Sequence, residues 1–132
     1  MPRQELDKLT EGIIACAFKV SNTLGSGFVE KVYENAHAHE MVKDGLQIVQ
    51  QFPIEVRYDE VIVGRFFADL LVESLVLVEL KAVTNLTEEH LAQALNYLRA
   101  TGLPICLLIN FGKPRIQIRR LYPSPTWKTS GL

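Results

Sequence analysis

Three residues of the chain pair chemistry with an apolar setting. Asp69 is followed ten positions later by Glu79, and Glu79-Leu80-Lys81 places a carboxylate and an amine two apart. They stand in Leu75-Val76-Leu77-Val78-Glu79-Leu80-Lys81, whose aliphatic and β-branched residues read as a buried strand. Alternate side chains of a strand share a face, so Glu79 and Lys81 point the same way. A carboxylate and an ammonium removed from water need compensation from a metal ion, from each other or from a ligand. Two carboxylates on adjoining strands suit a hard divalent cation such as Mg²⁺. With an ammonium beside them they could neutralise a phosphate and orient a nucleophile. The competing reading is a salt bridge on a solvent-facing sheet edge, weakened because Phe66-Phe67-Ala68-Asp69-Leu70-Leu71-Val72 is apolar on both sides of Asp69.

Other candidates depend on helices. In Gly27-Phe28-Val29-Glu30-Lys31-Val32-Tyr33, Glu30 and Tyr33 are three apart and share a helical face. If Gly27 is the N-cap, Glu30 falls at the third helical position and caps the backbone. Gln93 and Tyr97 lie four apart on a later helix and border its apolar stripe of Leu91, Ala94, Leu95 and Leu98. They could line a pocket or simply decorate a half-exposed face. His37, His39 and His90 have no zinc-ligand spacing with Cys16 or Cys106. His37 and His39 are read as surface residues and the two cysteines as buried thiols. No phosphate-binding loop, dinucleotide glycine fingerprint or serine-hydrolase elbow occurs.

The elements that must position these groups follow from periodicity. Helices are expected over 5–23, from about Gly27 to Lys43, and from Thr87 to about Thr101, with Thr87 as N-cap. Strands are expected over 47–58, 61–72, 75–81, 104–110 and 115–121, with Pro53 marking an edge or a bulge. Glu73-Ser74 links two of them as a hairpin without the favoured glycine. The helix between the Lys81 strand and the Ile105 strand makes those two parallel. The fold class is therefore α/β: one domain over 1–122 with a mixed sheet flanked by helices, and a flexible tail over 123–132.

A chain of 132 residues with 48% hydrophobic and 22% charged residues suits one globular domain. No apolar run is long enough to span a bilayer and nothing resembles a signal peptide, so a cytoplasmic location without membrane association is expected. A net charge of −1 excludes strong global attraction to nucleic acid. Arg115, Gln117 and Arg119 alternate along one strand face and read as a solvated edge.

The ordered set Gly27-x-x-Glu30-x-x-Tyr33, Asp69-Leu70-Leu71-Val72, Val78-Glu79-Leu80-Lys81-Ala82-Val83, Gln93-x-x-x-Tyr97 and Leu107-Leu108-Ile109-Asn110-Phe111 resembles the GxxExxY proteins, a group within the PD-(D/E)XK nuclease superfamily. The resemblance covers about residues 5 to 121 and implies a restriction-endonuclease-like core with the active site where the hairpin strands diverge. It implies Asp69 and Glu79 as ligands of Mg²⁺ or Mn²⁺, with the Leu80 carbonyl as a further ligand. Glu30 would reach the metal directly or through water, which moves it from cap to site. Lys81, Glu30, Gln93 and Tyr97 would complete the catalytic set. Ala68 stands where the superfamily loosely prefers proline, a departure that touches no ligand.

The implied reaction is phosphodiester hydrolysis of nucleic acid, DNA ahead of RNA. A lysine is protonated at neutral pH, which suits Lys81 to charge stabilisation and water positioning rather than to base chemistry. The alternative is a module that keeps the fold and docks nucleic acid or a protein without cleaving it. A third reading is a self-associating structural protein with these residues salt-bridged. Homodimerisation is compatible with all three and would supply a DNA-sized groove.

Overall fold

The computed structural model describes residues 2–127. Two helices, α1 (Arg3–Leu24) and α2 (Glu30–Lys43), precede the strands β1 (Ile48–Tyr58), β2 (Val61–Val72) and β3 (Val76–Lys81). Helix α3 (Glu88–Thr101) then crosses to β4 (Ile105–Asn110), and β5 (Gln117–Leu121) closes the sheet. The strand order is β1-β2-β3-β4-β5, parallel only between β3 and β4 and antiparallel elsewhere. This is the mixed α/β sheet read from the sequence. Pro53 lies on β1, an edge strand, where its missing N–H is tolerated.

The two hairpin turns form without glycine. Asp59 and Glu60 adopt φ of 49° and 64°, and Glu73 and Ser74 adopt 53° and 56°. Two successive left-handed residues supply the turn whose twist matches antiparallel strands. Glu73 compensates in part, because its carboxylate accepts from the Gln47 backbone N–H at 2.6 Å.

Each face of the sheet carries its own core. Leu70, Val72, Val76, Val78, Leu80, Ile105, Leu107 and Ile109 pack beneath α1 and α2. Leu71, Leu77, Cys106 and Leu108 pack against Ala94 and Leu98 of α3. Along β2 the alternation breaks once: Leu70 belongs to the first core, yet Ala68, two residues earlier, belongs to the second. Opposite that break β1 contains Gln51 at φ 55°, and Gln50 pairs with Leu70 and Phe52 with Ala68. A left-handed residue mid-strand acts as a bulge does, rotating the hairpin and re-aiming side chains. Asp69 stands at the point where β2 changes faces.

Two expectations fail under the first face. His37 is fully buried rather than at the surface; only His39 is exposed. The His37 ring packs edge-on against Phe111, and its Nε2 lies 2.9 Å from the Ile13 carbonyl oxygen. Helix α2 also starts later than expected. Its N-cap is Val29, which puts Glu30 at the first helical position and makes no side-chain cap hydrogen bond. Gly27 instead serves the connection, at φ 119°. Tyr33 secures that loop by donating to the Gly25 carbonyl at 2.6 Å and accepting from the Phe28 N–H at 3.2 Å. Beyond β5, Trp127 packs against the α3-side core with Arg99 5.7 Å over its ring. The rest of the expected tail, residues 128–132, lies outside the described residues.

Candidate active site where two strands part

The β2–β3 ladder runs from the turn only as far as Leu70↔Val78. The next positions outward are Asp69 and Glu79, and there side chains replace the ladder. Asp69 Oδ2 accepts from the Leu80 N–H at 2.8 Å, and Glu79 Oε2 accepts from the Asp69 N–H at 3.4 Å. The amide and carbonyl of one residue leave a strand on the same edge. Since the Leu80 N–H points at Asp69, its carbonyl faces the same gap. β3 remains paired with β4 to its end, Lys81↔Asn110, so Glu79, Leu80 and Lys81 sit on a rigid strand.

Glu79 is only 4% exposed. Burial pushes its carboxyl up to about 9, and a hydrogen bond to Asp69 and the Asp69 charge add to the effect; Lys81 opposes it. The metal-free pair thus holds a proton at neutral pH. Lys81 Nζ reaches Gln93 Oε1 at 3.3 Å, and the described ion pairs do not include Lys81. The salt-bridge reading of the cluster is therefore not what the fold builds. Glu30 feels the cluster from α2: burial raises its pKa, the Asp69 charge raises it further, and Lys81 lowers it. It makes no hydrogen bond to either residue among the described contacts. Tyr97 of α3 is buried, with its pKa raised by burial and then by the charges of Glu79 and Asp69.

The donor set fits a divalent metal. Two carboxylates crowd each other without a cation between them, and a backbone carbonyl faces the same gap; all are hard oxygen donors. Among the described residues no three His, Cys, Asp or Glu side chains group closely enough to hold an ion, so Glu30 stands outside the Asp69–Glu79 pair. Asp69, Glu79, Leu80, Lys81 and Gln93 are brought into one cluster, with Glu30 and Tyr97 around it.

Sequence reasoning missed the support on the α2 side. Glu34, 2% exposed, pairs with Lys31 at 3.1 Å and accepts from Gln50 Nε2 at 2.8 Å and Gln51 Nε2 at 2.9 Å. Gln51 Nε2 also lies 3.4 Å from Asp69 Oδ1. The left-handed Gln51 thus ties Asp69 to a buried carboxylate on α2. Two successive glutamines, Gln50 and Gln51, between the apolar residues Val49 and Phe52 were the available signal. Asn110 was the other omission. Its amide bonds the Val83 N–H and carbonyl, the Gly112 N–H and Gln117 Oε1, all within 3.0 Å. This clamp fixes the loop leaving Lys81.

The fold and the site lead to one class of protein. A family model described as the PD-(D/E)XK nuclease superfamily matches residues 7–121, nearly the whole described chain. The chain belongs to that superfamily. Comparisons with curated proteins and with solved structures give no match. No helix among the described residues is long and apolar enough to cross a membrane.

Proposed function

We propose that this chain is a Mg²⁺- or Mn²⁺-dependent nuclease of the GxxExxY group, acting in the cytoplasm and hydrolysing phosphodiester bonds in DNA rather than RNA. The observation that carries the reading is half-buried Asp69 set against buried Glu79 at the divergence of β2 and β3, with Lys81 free of any described ion pair beside it. Asp69, Glu79 and the Leu80 carbonyl would hold the metal, with Glu30 reaching it through water. A divalent cation bound there supplies Lewis-acid activation of water and neutralises charge on the non-bridging phosphate oxygens.

The chain's own groups do the remainder. Lys81, on the face of Glu79, offers its ammonium to the phosphate and to the attacking water. Gln93 accepts from Lys81 and so fixes where that ammonium points. Tyr97 walls the cluster on the α3 side and limits its hydration. Glu34, through Gln51, holds the Asp69 carboxylate in its orientation.

The test is hydrolysis of labelled single-stranded, duplex and branched DNA, and of RNA, by wild type, Asp69→Asn, Glu79→Gln and Lys81→Met in Mg²⁺ and Mn²⁺. The reading requires cleavage by wild type that each substitution reduces at least about a hundredfold, since each removes a group acting on transition-state charge. Among the described residues no third carboxylate, imidazole or thiol groups with the acidic pair, which favours a second reading, a module that binds nucleic acid or a protein without cleaving. Wild-type binding without hydrolysis of any substrate would select it.

A further inference from the structure

Outside the acidic cluster, but continuous with it, a cavity of about 520 Å³ opens between α3 and the β1–β2 hairpin. Such a volume is in the range of small-ligand sites. Phe66 and Tyr97 wall it, with ring centroids 5.6 Å apart and planes tilted by 41°. The Phe66 ring lies beside Gly64, where a Cβ would stand 3.1 Å from Phe66 Cε2. Glu89, Gln93 and Asn96 stand four and then three residues apart and line the cavity from one face of α3. Gln93 also accepts from Lys81, and Tyr97 lies in the field of Glu79 and Asp69. The cavity is therefore the neighbour of the reacting phosphate.

Its chemistry excludes a phosphate as occupant. Glu89 is the one charged residue lining it and would repel an anion. Two rings, two amides and a carboxylate instead match a flat, neutral heterocycle with exocyclic N–H groups. A stacked and paired base in a duplex cannot enter such a pocket without leaving the helix. A net charge of −1 also gives the chain no global attraction to a duplex.

We infer that this cavity binds the unpaired base of the nucleotide adjoining the scissile phosphate, which makes single-stranded or unstacked nucleic acid the substrate class. The inference rests on the nuclease reading above. Phe66 and Tyr97 supply the stacking surface, and Gln93 and Asn96 meet the base edge. Glu89 accepts from an exocyclic amine, which favours cytosine over thymine because only cytosine carries one.

The test is fluorescence anisotropy of the full chain with a labelled single-stranded DNA, its blunt duplex, and the single strand carrying abasic sites, with Ca²⁺ in place of Mg²⁺. Single-stranded RNA of the same sequence tells whether the sugar matters. The single strand should bind at least about tenfold tighter than the duplex, and Phe66→Ala should weaken it about tenfold, the scale of one lost base–aromatic stack. Phe66→Tyr should restore binding, Asn96→Ala should weaken it severalfold, and abasic sites should mimic Phe66→Ala. Duplex binding equal to or tighter than single-strand binding overturns the inference, as does single-strand affinity unchanged by both Phe66→Ala and Asn96→Ala. Either result alongside metal-dependent cleavage leaves the nuclease reading standing. No binding of any nucleic acid, with no cleavage, overturns both.

Discussion

Two buried ionisable groups, one on each side of the sheet, meet opposite conditions. His37 projects from α2 toward α1, with Nε2 at the Ile13 carbonyl and Nδ1 buried without a partner. Burial drives its pKa down to about 4, against a smaller upward effect of the Ile13 hydrogen bond. The imidazole is neutral and donates its one proton to a carbonyl, which leaves Nδ1 as an unpaired acceptor but no buried charge. Glu79 is buried almost as deeply, but its neighbour is another carboxylate. His37 is buried with an acceptor for the proton its neutral form carries; Glu79 is buried against half-buried Asp69, whose charge opposes its ionisation. The second arrangement makes sense when a cation belongs between the two.

Breaking the acidic side should give the largest effect. Glu79→Gln is expected to weaken Mn²⁺ binding at least about a hundredfold in calorimetric titration, because a primary oxygen ligand loses its charge. The same substitution should stabilise the metal-free protein by about 1–3 kcal/mol at pH 8. The Glu79 pKa is raised from 4.5 to about 9 in the folded state. Its contribution is therefore fully present below pH 4.5 and lost as pH rises through 9. Urea denaturation in EDTA should show wild type weakening over that window, with the slope reduced in the variant.

The histidine side should answer with the opposite sign. A pKa lowered from 6.5 to about 4 gives stability fully present above pH 6.5 and lost as pH falls through 4. The full loss amounts to about 3 kcal/mol. Glu79 contributes with the opposite sign over the same window, so the loss is read as the difference between wild type and His37→Gln in EDTA. The variant cannot take up a proton and should lose less stability from pH 7 to pH 4.

Gln51→Gly sharpens the contrast by separating strain from support. Glycine adopts φ 55° without steric penalty, so stability should stay within about 1 kcal/mol of wild type. Losing the bridge from Glu34 to Asp69 should still weaken Mn²⁺ binding about tenfold, the scale of a lost ligand-orienting contact. Equal affinity in both proteins would remove Gln51 from the account.

Away from both groups, Gly112→Ala should destabilise by about 1–3 kcal/mol through overpacking. A Cβ there would lie against the backbone of Val83. Thermal melting of the variant checks it.

The sequence shows the positions of the acidic pair more readily than their surroundings. Asp69 and Glu79 stand out because charge is rare within apolar strands, and strand period places Lys81 with Glu79. The five strands follow from alternation and turn residues, and the parallel pair follows from the intervening helix. What period cannot show is the change of face at Asp69, because that depends on one left-handed residue, Gln51, on the neighbouring strand. His37 was misread for a related reason. Helix α2 carries polar residues on both faces, so the side turned inward is set by Phe111 and Ile13, which come from elsewhere in the chain. Glu30 falls on the expected helix, but the capping role depended on a helix start at Gly27, whereas the extended backbone of Val29 delays the start to Glu30.

The most direct test of the proposed metal site is anomalous scattering from a crystal soaked in Mn²⁺. The account predicts a peak within coordination distance of Asp69 and Glu79, next to the Leu80 carbonyl, with Lys81 and Glu30 nearby. A crystal at millimolar Mn²⁺ with no peak there would contradict it.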